Sequence, residues 1–222
     1  MNPEHPRDRI LQAAVRVFAE KGFECGTIRS ICKLAEVNIA AVNYYFNDKA
    51  NLYIAAVLHA HQCRINLLEI DPEAEPAAQL RVYIRHFLCK TLAVVEEGDW
   101  TQALILRELM APTPATETLV REGSRPFYDQ LQGILRRICP DANPRRMHAL
   151  AFSVLGQCLH YRLVPHISSR LANDLDPSEL NVAFLADHIS SMTLAALGLL
   201  PPLDSAGETV AAVGSETSGD PR

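Results

Sequence analysis

Residues 27–49, TIRSICKLAEVNIAAVNYYFNDK, are the part of this 222-residue chain that most restricts its possible folds. Apolar residues recur there at helical spacing in two short runs, separated by a break that begins at Glu36. Thr27 and Asn38 stand at the starts of the two runs, and such side chains accept hydrogen bonds from the free N–H groups of a helix start. The segment therefore predicts two short helices joined by a turn that presents the second helix to a groove.

The second of these predicted helices, from Asn38 to about Tyr45, has an unusual outer face. Val42, Tyr45 and Phe46 fall on its inner side. The residues left outside are small, amide-bearing and almost uncharged, namely Asn38, Ile39, Ala40, Ala41, Asn43 and Tyr44. Small residues allow a close approach to base edges, and an asparagine can pair with adenine. We therefore predict that these six residues contact the bases and nearby sugars of duplex DNA; a merely solvated helix surface is the alternative.

Three further residues, Thr27, Tyr45 and Lys49, are predicted to hold phosphates. Lys49 lies in the first turn of the next helix, where free backbone N–H groups also attract an anion. Residues 1–64 contain eight Lys and Arg against six Asp and Glu, whereas the rest of the chain contains thirteen against twenty. A slightly basic head on an acidic body favours orienting the head toward DNA.

Composition excludes several classes of protein. Hydrophobic residues make up 48% of the chain, which argues against a disordered protein. No apolar run reaches the roughly 18 residues that span a bilayer. The first residues, MNPEHPRDRI, carry charge where a signal peptide needs an apolar stretch. We therefore expect a soluble, cytoplasmic protein with no membrane partner.

The six cysteines form no CxxC pair and indicate reduced thiols. His59, His61 and Cys63 form an HxHxC run, but a helix places His61 on a different face from the other two, which is poor geometry for a metal. No combination of Ser, His, Asp and Cys has catalytic spacing. We expect no metal, no cofactor and no enzymatic activity.

Helical patterns continue through the body, and no alternating strand pattern of useful length occurs. Besides the two motif helices, the expected helices cover about 7–21, 48–68, 77–95, 100–110, 115–139 with a kink at Pro126, 144–163 and 177–199. The predicted fold is all-α, with roughly nine helices. We expect an N-terminal three-helix helix-turn-helix domain over 1–48, a larger C-terminal helical ligand-binding and dimerisation domain over 49–200, and a disordered tail over 201–222.

Polar residues inside otherwise apolar helices are the candidates for a ligand site. Gln157, His160 and Tyr161 share one helix face at i, i+3 and i+4. A buried polar cluster costs stability unless it is paired internally or by a bound molecule. The predicted small-molecule site consists of Arg107, Glu108, Met110, Phe127, Gln157, His160 and Tyr161. An internal Arg–Glu and Gln–Tyr network that only orients helices is the alternative.

The last two predicted helices are apolar around more than one face, which indicates that they bury surface on two sides. One stripe consists of Ala149, Phe152, Leu155 and Leu159, and the other of Leu185, Ile189, Met192 and Ala196. Packing of these helices from two subunits would form a four-helix interface with two-fold symmetry. We therefore predict a homodimer, with ordinary core packing as the alternative.

Several spaced features of the first 50 residues resemble the DNA-binding domain of the TetR family of bacterial transcriptional regulators. They are FAEKGF at 18–23, then Thr27, Ile31, Ala35, Val37 and the terminal Tyr45-Phe46-x-x-Lys49. The chain has Glu36 where the family usually has Gly, and a non-Gly residue in a left-handed turn costs on the order of 1 kcal/mol. It also has Cys32 in place of Ala, and Asn43 where an aromatic residue is common.

Residues 106–115, LRELMAPTPA, together with 38–44, NIAAVNY, are similar to the CecR-like branch of that family. The resemblance implies a homodimeric repressor that binds a palindromic double-stranded DNA operator. It also implies release from the operator when a small-molecule effector occupies the C-terminal domain. Two other hypotheses remain open: a small-molecule-binding protein or enzyme in which the helix-turn-helix head is only structural, and a DNA-binding protein without an inducer.

Overall fold

The computed structural model describes residues 5–64, 67–93 and 99–200, and every regular element within these ranges is a helix. The all-α prediction is therefore confirmed. The tail predicted over 201–222 and the helix end expected at Val95 lie outside the described residues. In the ranges that the structure covers, no helix is both long and apolar enough to span a bilayer.

Eleven α-helices occupy the described residues, where roughly nine were expected. They are α1 (Pro6–Cys25), α2 (Ile28–Ala35), α3 (Ile39–Phe46), α4 (Lys49–Arg64), α5 (Pro76–Thr91), α6 (Thr101–Met110), α7 (Ala115–Thr118), α8 (Arg125–Ile138), α9 (Pro144–Leu163), α10 (Pro165–Leu171) and α11 (Val182–Ala196). A π-helical turn, Leu119–Ser124, joins α7 to α8, and a 3₁₀ turn, Pro177–Glu179, precedes α11.

Two expected helices are divided in the structure. The kink predicted at Pro126 occurs earlier, in the π-helical turn, and Pro126 is the second residue of α8, where its missing N–H is not needed. The helix expected over 177–199 begins only at α11. Asn181 caps α11 by accepting hydrogen bonds from the N–H groups of Ala183 and Phe184 at 3.0 and 3.1 Å. A local cap therefore outweighs the apolar pattern that runs through it.

Gly22 interrupts α1 where the sequence predicts the end of the first helix. Its φ of +76° and ψ of 177° lie outside the helical region, and one further turn continues to Cys25. Glycine adopts this positive φ without the penalty that a side chain would meet. The N–H of Gly26 then donates to the carbonyl oxygen of Gly22 at 3.0 Å. The interruption leaves the carbonyl groups at the end of the long segment free for other partners.

The described residues divide into two compact units. The first unit contains the described parts of Met1–Leu68 and Ala93–Gln130. In it, α1 packs against α2, α4 and α6, and α2 packs against α3. Ile10, Phe18, Ile31, Val42 and Leu52 are fully buried in its core. The domain boundary near residue 48 stays a prediction, since α1, α2 and α3 share this unit with α4 and α6.

The second unit contains the described parts of Glu69–Leu92 and Leu131–Arg222. Within it, α5 packs against α9 and α11. Leu80, Ile84, Leu88 and Leu185 are buried there to 1% exposure or less. Each of these helices therefore uses one apolar face inside its own protomer.

Candidate nucleic-acid interface

The two motif helices are α2 and α3, and both begin at the caps that the sequence predicts. Oγ1 of Thr27 accepts a hydrogen bond from the N–H of Ser30 at 3.1 Å. Oδ1 of Asn38 accepts one from the N–H of Ala41 at 2.9 Å. Each cap satisfies a free donor of a helix start, and such a cap contributes about 1 kcal/mol. The starts of both helices are therefore fixed locally.

The turn between these helices is tight and left-handed. Glu36 ends α2 at φ 54° and ψ 48°, in the left-handed region. The N–H of Val37 donates to the carbonyl oxygen of Cys32 at 3.1 Å. The left-handed turn expected at Glu36 is thus confirmed, together with its strain of about 1 kcal/mol. This turn sets the direction in which α3 leaves α2.

The inner side of α3 is held by Val42, which is fully buried, and by Phe46, which is 5% exposed. On the outer face, the residues Asn38, Ile39, Ala40, Asn43 and Tyr44 are exposed and Ala41 is half-buried. The Tyr44 side chain is 80% exposed and that of Ile39 is 53% exposed. Large apolar groups left open to water on one short helix are typical of a contact surface.

Tyr45, which we expect to contact phosphate, is half-buried at the edge of this face. Its ring centre lies 4.9 Å from that of Tyr44 and 5.6 Å from that of His5, both in edge-to-face geometry. Such aromatic pairs contribute roughly 0.5–1.5 kcal/mol each. Tyr45 is therefore braced between α3 and the residue that precedes α1.

Lys49 has partners inside the protein. Its Nζ donates to the carbonyl oxygen of Glu24 at 3.0 Å and lies 4.8 Å from the centre of the Phe23 ring. An ammonium group carries three donors, so two remain for a phosphate. The start of α4 already holds an anion, because the Asp48 carboxylate accepts a hydrogen bond from the N–H of Asn51 at 2.8 Å. The helix start that we invoked beside Lys49 is thus partly occupied.

The sequence analysis overlooked two cations beside this face. Arg29 and Lys33 are exposed on α2, one turn apart, and Thr27 is exposed at the start of the same helix. Side chains at i and i+4 are neighbours on a helix surface, a spacing that the sequence already contained. Lysine and arginine are the usual partners of phosphate oxygens. Attention to the second helix alone left them out.

Of the seven predicted ligand residues, four lie in the first unit, where Arg107 and Glu108 end α6. The guanidinium of Arg107 donates from Nε to the carbonyl oxygen of Ala19 at 3.1 Å and from Nη2 to that of Glu20 at 3.2 Å. Glu108 is fully buried and accepts a hydrogen bond from the Tyr53 hydroxyl at 2.7 Å. The Arg–Glu pair of the alternative hypothesis thus bonds to other groups rather than to itself.

The other two residues of this group are Met110, which is 80% exposed, and Phe127, which is 8% exposed. The Phe127 ring centre lies 6.1 Å from that of His61, and burial lowers the pKa of His61. The Nε2 atom of His59 lies 3.5 Å from Sγ of Cys63. Among the residues that the structure describes, no three His, Cys, Asp or Glu side chains cluster as metal ligands would.

The remaining three predicted ligand residues lie together in the second unit. Gln157, His160 and Tyr161 line an open depression of about 290 Å³ between α9 and α11, with Gly156, His188 and Ile189. Nε2 of His160 lies 3.0 Å from Oγ of Ser168. Nε2 of Gln157 donates to the carbonyl oxygen of Ser153 on its own helix at 3.2 Å. The predicted site is therefore divided between the units, and only its second half lines a depression.

The predicted dimer helices, α9 and α11, bury one face and expose another. Leu185 and Ile189 are each 1% exposed and belong to the core of the protomer. Phe152, Phe184 and Met192 are 62%, 52% and 42% exposed. Large exposed apolar side chains on two adjacent helices are typical of a surface that binds a partner.

An all-α chain with a capped helix-turn-helix and an exposed, nearly uncharged second helix defines a helix-turn-helix DNA-binding regulator. Residues 76–197 match the C-terminal domain of the HTH-type transcriptional dual regulator CecR, and residues 10–56 match the bacterial regulatory proteins of the tetR family. The chain belongs to the tetR family, with a C-terminal domain of the CecR type. The resemblance found in the sequence is therefore confirmed.

Individual relatives support this assignment. The HTH-type transcriptional dual regulator CecR of Shigella flexneri is 28% identical over 174 residues, which cover 72% of this chain and 77% of that protein. The HTH-type transcriptional repressor NicS of Pseudomonas putida is 37% identical over 76 residues, 32% of this chain and 36% of that protein. Because its family consists of regulators, the protein is a transcriptional regulator. The alternative of an enzyme with a structural head is not favoured.

The fold is shared with solved structures of low identity. The crystal structure of AibR in complex with isovaleryl coenzyme A and operator DNA gives a TM-score of 0.59 at 19% identity, covering 85% of this chain and 97% of that one. A TetR transcriptional regulator from Agrobacterium tumefaciens gives 0.59 at 18% identity, covering 86% and 93%. These similarities establish the common architecture.

Proposed function

We propose that this regulator is a homodimeric repressor, which binds a palindromic operator in the cytoplasm and is released by a small-molecule effector. The observation that carries the proposal is the outer face of α3. Five of its six predicted base-contacting residues are exposed, on a helix that a cap, a tight turn and a buried inner side hold in place. A rigid helix with small exposed residues is suited to the major groove.

In this proposal the outer face of α3 contacts base edges, and the residues around it hold the backbone. The base and sugar contacts are Asn38, Ile39, Ala40, Ala41, Asn43 and Tyr44. Thr27, Tyr45 and Lys49 hold phosphates, and the exposed Arg29 and Lys33 of α2 assist them. Asn43 is the main candidate for direct readout, because an amide can both donate to and accept from adenine.

Dimerisation through α9 and α11 would cover the exposed side chains of Phe152, Phe184 and Met192. A closed two-fold interface uses the same patch on both copies, so one apolar face suffices. Two copies of α3 would then lie in successive major grooves, about 34–36 Å apart.

We place the effector in the second unit, at the depression lined by Gln157, His160 and Tyr161. These side chains offer an amide, an imidazole and a phenol, which suit a small polar molecule. AibR, which has the same fold, was crystallised with an acyl-coenzyme A and operator DNA, so this architecture accommodates both kinds of ligand. An effector lowers operator affinity only if it binds the released conformation better than the DNA-bound one.

Selection of genomic fragments tests the function directly. Purified protein is mixed with sheared DNA from the organism that encodes it, and bound fragments are sequenced. We expect one palindrome to be enriched, and Asn43→Ala to weaken binding to it by about 1–3 kcal/mol. Asn173→Ala, which changes an exposed asparagine of the second unit, is the matched control and should bind as the wild type does. Enrichment of no palindrome, or unchanged selection by Asn43→Ala, would contradict the proposal.

Repeating the selection with candidate metabolites and drugs tests the effector. The palindrome should be lost from the bound pool when the correct molecule is present. Gln157→Leu should then retain operator binding but need more of that molecule for release. Equal release of Gln157→Leu and wild type would place the effector elsewhere.

A further inference from the structure

The last turn of α6 contains two charged residues that make no contact with each other's side chain in the bonds described above. Arg107 and Glu108 are neighbours in sequence, and the hydrogen bonds of each go to a different helix of the first unit. We refer to this pair as the α6 clamp. Its partners lie in α1 and α4, the two helices on which α2 and α3 are packed.

The first arm of the clamp is Arg107. Its guanidinium donates to the carbonyl oxygens of Ala19 and Glu20, at the point where Gly22 interrupts α1. A Cβ atom added at Gly22 would lie 3.1 Å from Nη1 of Arg107, so the glycine makes room for this side chain. Carbonyl groups at the end of a helical segment carry partial negative charge and favour a cation. Arg107 thus ties the end of α6 to the end of the long segment of α1.

The second arm is Glu108, whose carboxylate has no access to solvent. It accepts hydrogen bonds from the Tyr53 hydroxyl of α4 at 2.7 Å, from the N–H of Thr113 at 3.0 Å and from the hydroxyl groups of Thr113 and Thr116. Thr113 stands between Pro112 and Pro114, which have no N–H, so its own N–H is the one backbone donor of that break. Glu108 therefore joins α4 to the turn that follows α6.

Tyr53 carries this connection into the DNA-binding helices. Its ring packs edge-to-face against Phe18 at 4.9 Å and against Phe23 at 5.0 Å, both in α1. The same Phe23 ring lies under the ammonium group of Lys49. One continuous set of contacts thus runs from the end of α6, through α4 and α1, to the proposed phosphate contact.

A network of this kind determines geometry more than stability. A buried charge is worth little more than a well-packed apolar group of similar size, yet it permits only the arrangement in which all its partners are in place. Apolar packing alone between these helices would tolerate small shifts. A regulator that must place two copies of α3 in successive grooves needs such shifts to be small.

We infer that Arg107 and Glu108 are positioning residues for DNA binding, which hold α1 and α4 in the operator-competent arrangement on α6. This inference rests on the proposed function and replaces, for these two residues, the predicted contact with a ligand. It specifies which bonds must be kept for operator binding, and which must break if movement of α6 is to release DNA.

The test uses the full-length protein and the palindrome selected by the wild type, with half-site spacings changed by one or two base pairs. Arg107→Met and Tyr53→Phe each remove hydrogen bonds and keep most of the side-chain volume. Arg121→Met and Thr118→Val are the matched controls, since Arg121 pairs only with Glu122 among the bonds described for it and both lie outside the clamp. Circular dichroism at the assay temperature verifies that every variant is folded.

Both clamp variants should bind the palindrome about tenfold more weakly, a loss within the usual range of coupling between sites. They should also discriminate less between half-site spacings, whereas their affinity for a scrambled duplex should match that of the wild type. A merely structural role would lower only the melting temperature, leaving the affinity and the preferred spacing of the folded protein unchanged; that result overturns the inference. If the wild type selects no palindrome, the proposed function fails and the inference fails with it. If the wild type does and the clamp variants behave like the controls, the inference alone fails.

Discussion

At the scale of single residues, the turn before α3 shows how an unfavourable residue is held in place. Glu36 adopts a left-handed conformation that costs a side chain roughly 1–2 kcal/mol. The buried side chains of Ile31 and Val42 on either side of it leave no other path for the chain. The cost is therefore met by the packing of α2 and α3 rather than by the turn itself.

Replacing Glu36 by glycine should stabilise the protein. Glycine removes the left-handed strain but adds conformational freedom to the unfolded chain, so we expect a net gain of about 0.5–1 kcal/mol. Urea titration of Glu36→Gly against wild type measures it. Glu36→Ala keeps the Cβ atom and should show no gain. Equal stabilisation by both substitutions would mean that the charge, and not the backbone, is responsible.

At the scale of helices, the buried carboxylate of Glu108 makes the packing of α6 dependent on pH. Burial alone would raise the pKa of Glu108, but hydrogen bonds from Thr116, Tyr53 and Thr113 outweigh burial and hold that pKa below its ordinary value. The folded protein thus keeps the carboxylate at a pH where the unfolded chain binds a proton. Its stabilising contribution is complete at neutral pH and is lost as the pH falls from about 5 through the lowered pKa.

We therefore expect Glu108→Gln to lower the free energy of unfolding by about 2 kcal/mol at pH 7, with a difference that shrinks as the pH falls. Urea titrations at pH 7, 5 and 4 measure this difference. Glu117→Gln, an exposed substitution on α7, should change little at any pH. A difference that is the same at all three values would contradict the linkage.

The sequence predicted the elements whose determinants are local. The caps at Thr27 and Asn38, the break at Glu36 and the bounds of α9 follow from neighbouring residues. The partners of Arg107 and Glu108 lie 88 and 55 residues away in the chain, so no local pattern identified them. For the same reason, the sequence assigned both residues to a ligand site.

At the scale of the whole molecule, the proposed dimer depends on the exposed face of α9 and α11. Phe152→Glu places a charge where two apolar faces would meet, and burying it without a partner costs several kcal/mol. Phe152 is 62% exposed in the protomer, so the substitution should leave the protomer folded. We expect a monomer by sedimentation equilibrium at micromolar concentration, with loss of operator binding.

Val82→Glu is the matched control, because Val82 is 48% exposed on α5, away from these two helices. It should remain dimeric and bind the operator. A Phe152→Glu protein that sediments as a dimer would show that the copies meet elsewhere.

The central claim is that α3 enters the major groove twice in each complex. Methylation interference with dimethyl sulfate measures this directly, because the N7 atom of guanine lies in the major groove, whereas N3 of adenine lies in the minor groove. On the selected palindrome, we predict two groups of interfering guanines, with centres about 10–10.5 base pairs apart. Interference confined to one half-site, or to adenines of the minor groove, would contradict the claim.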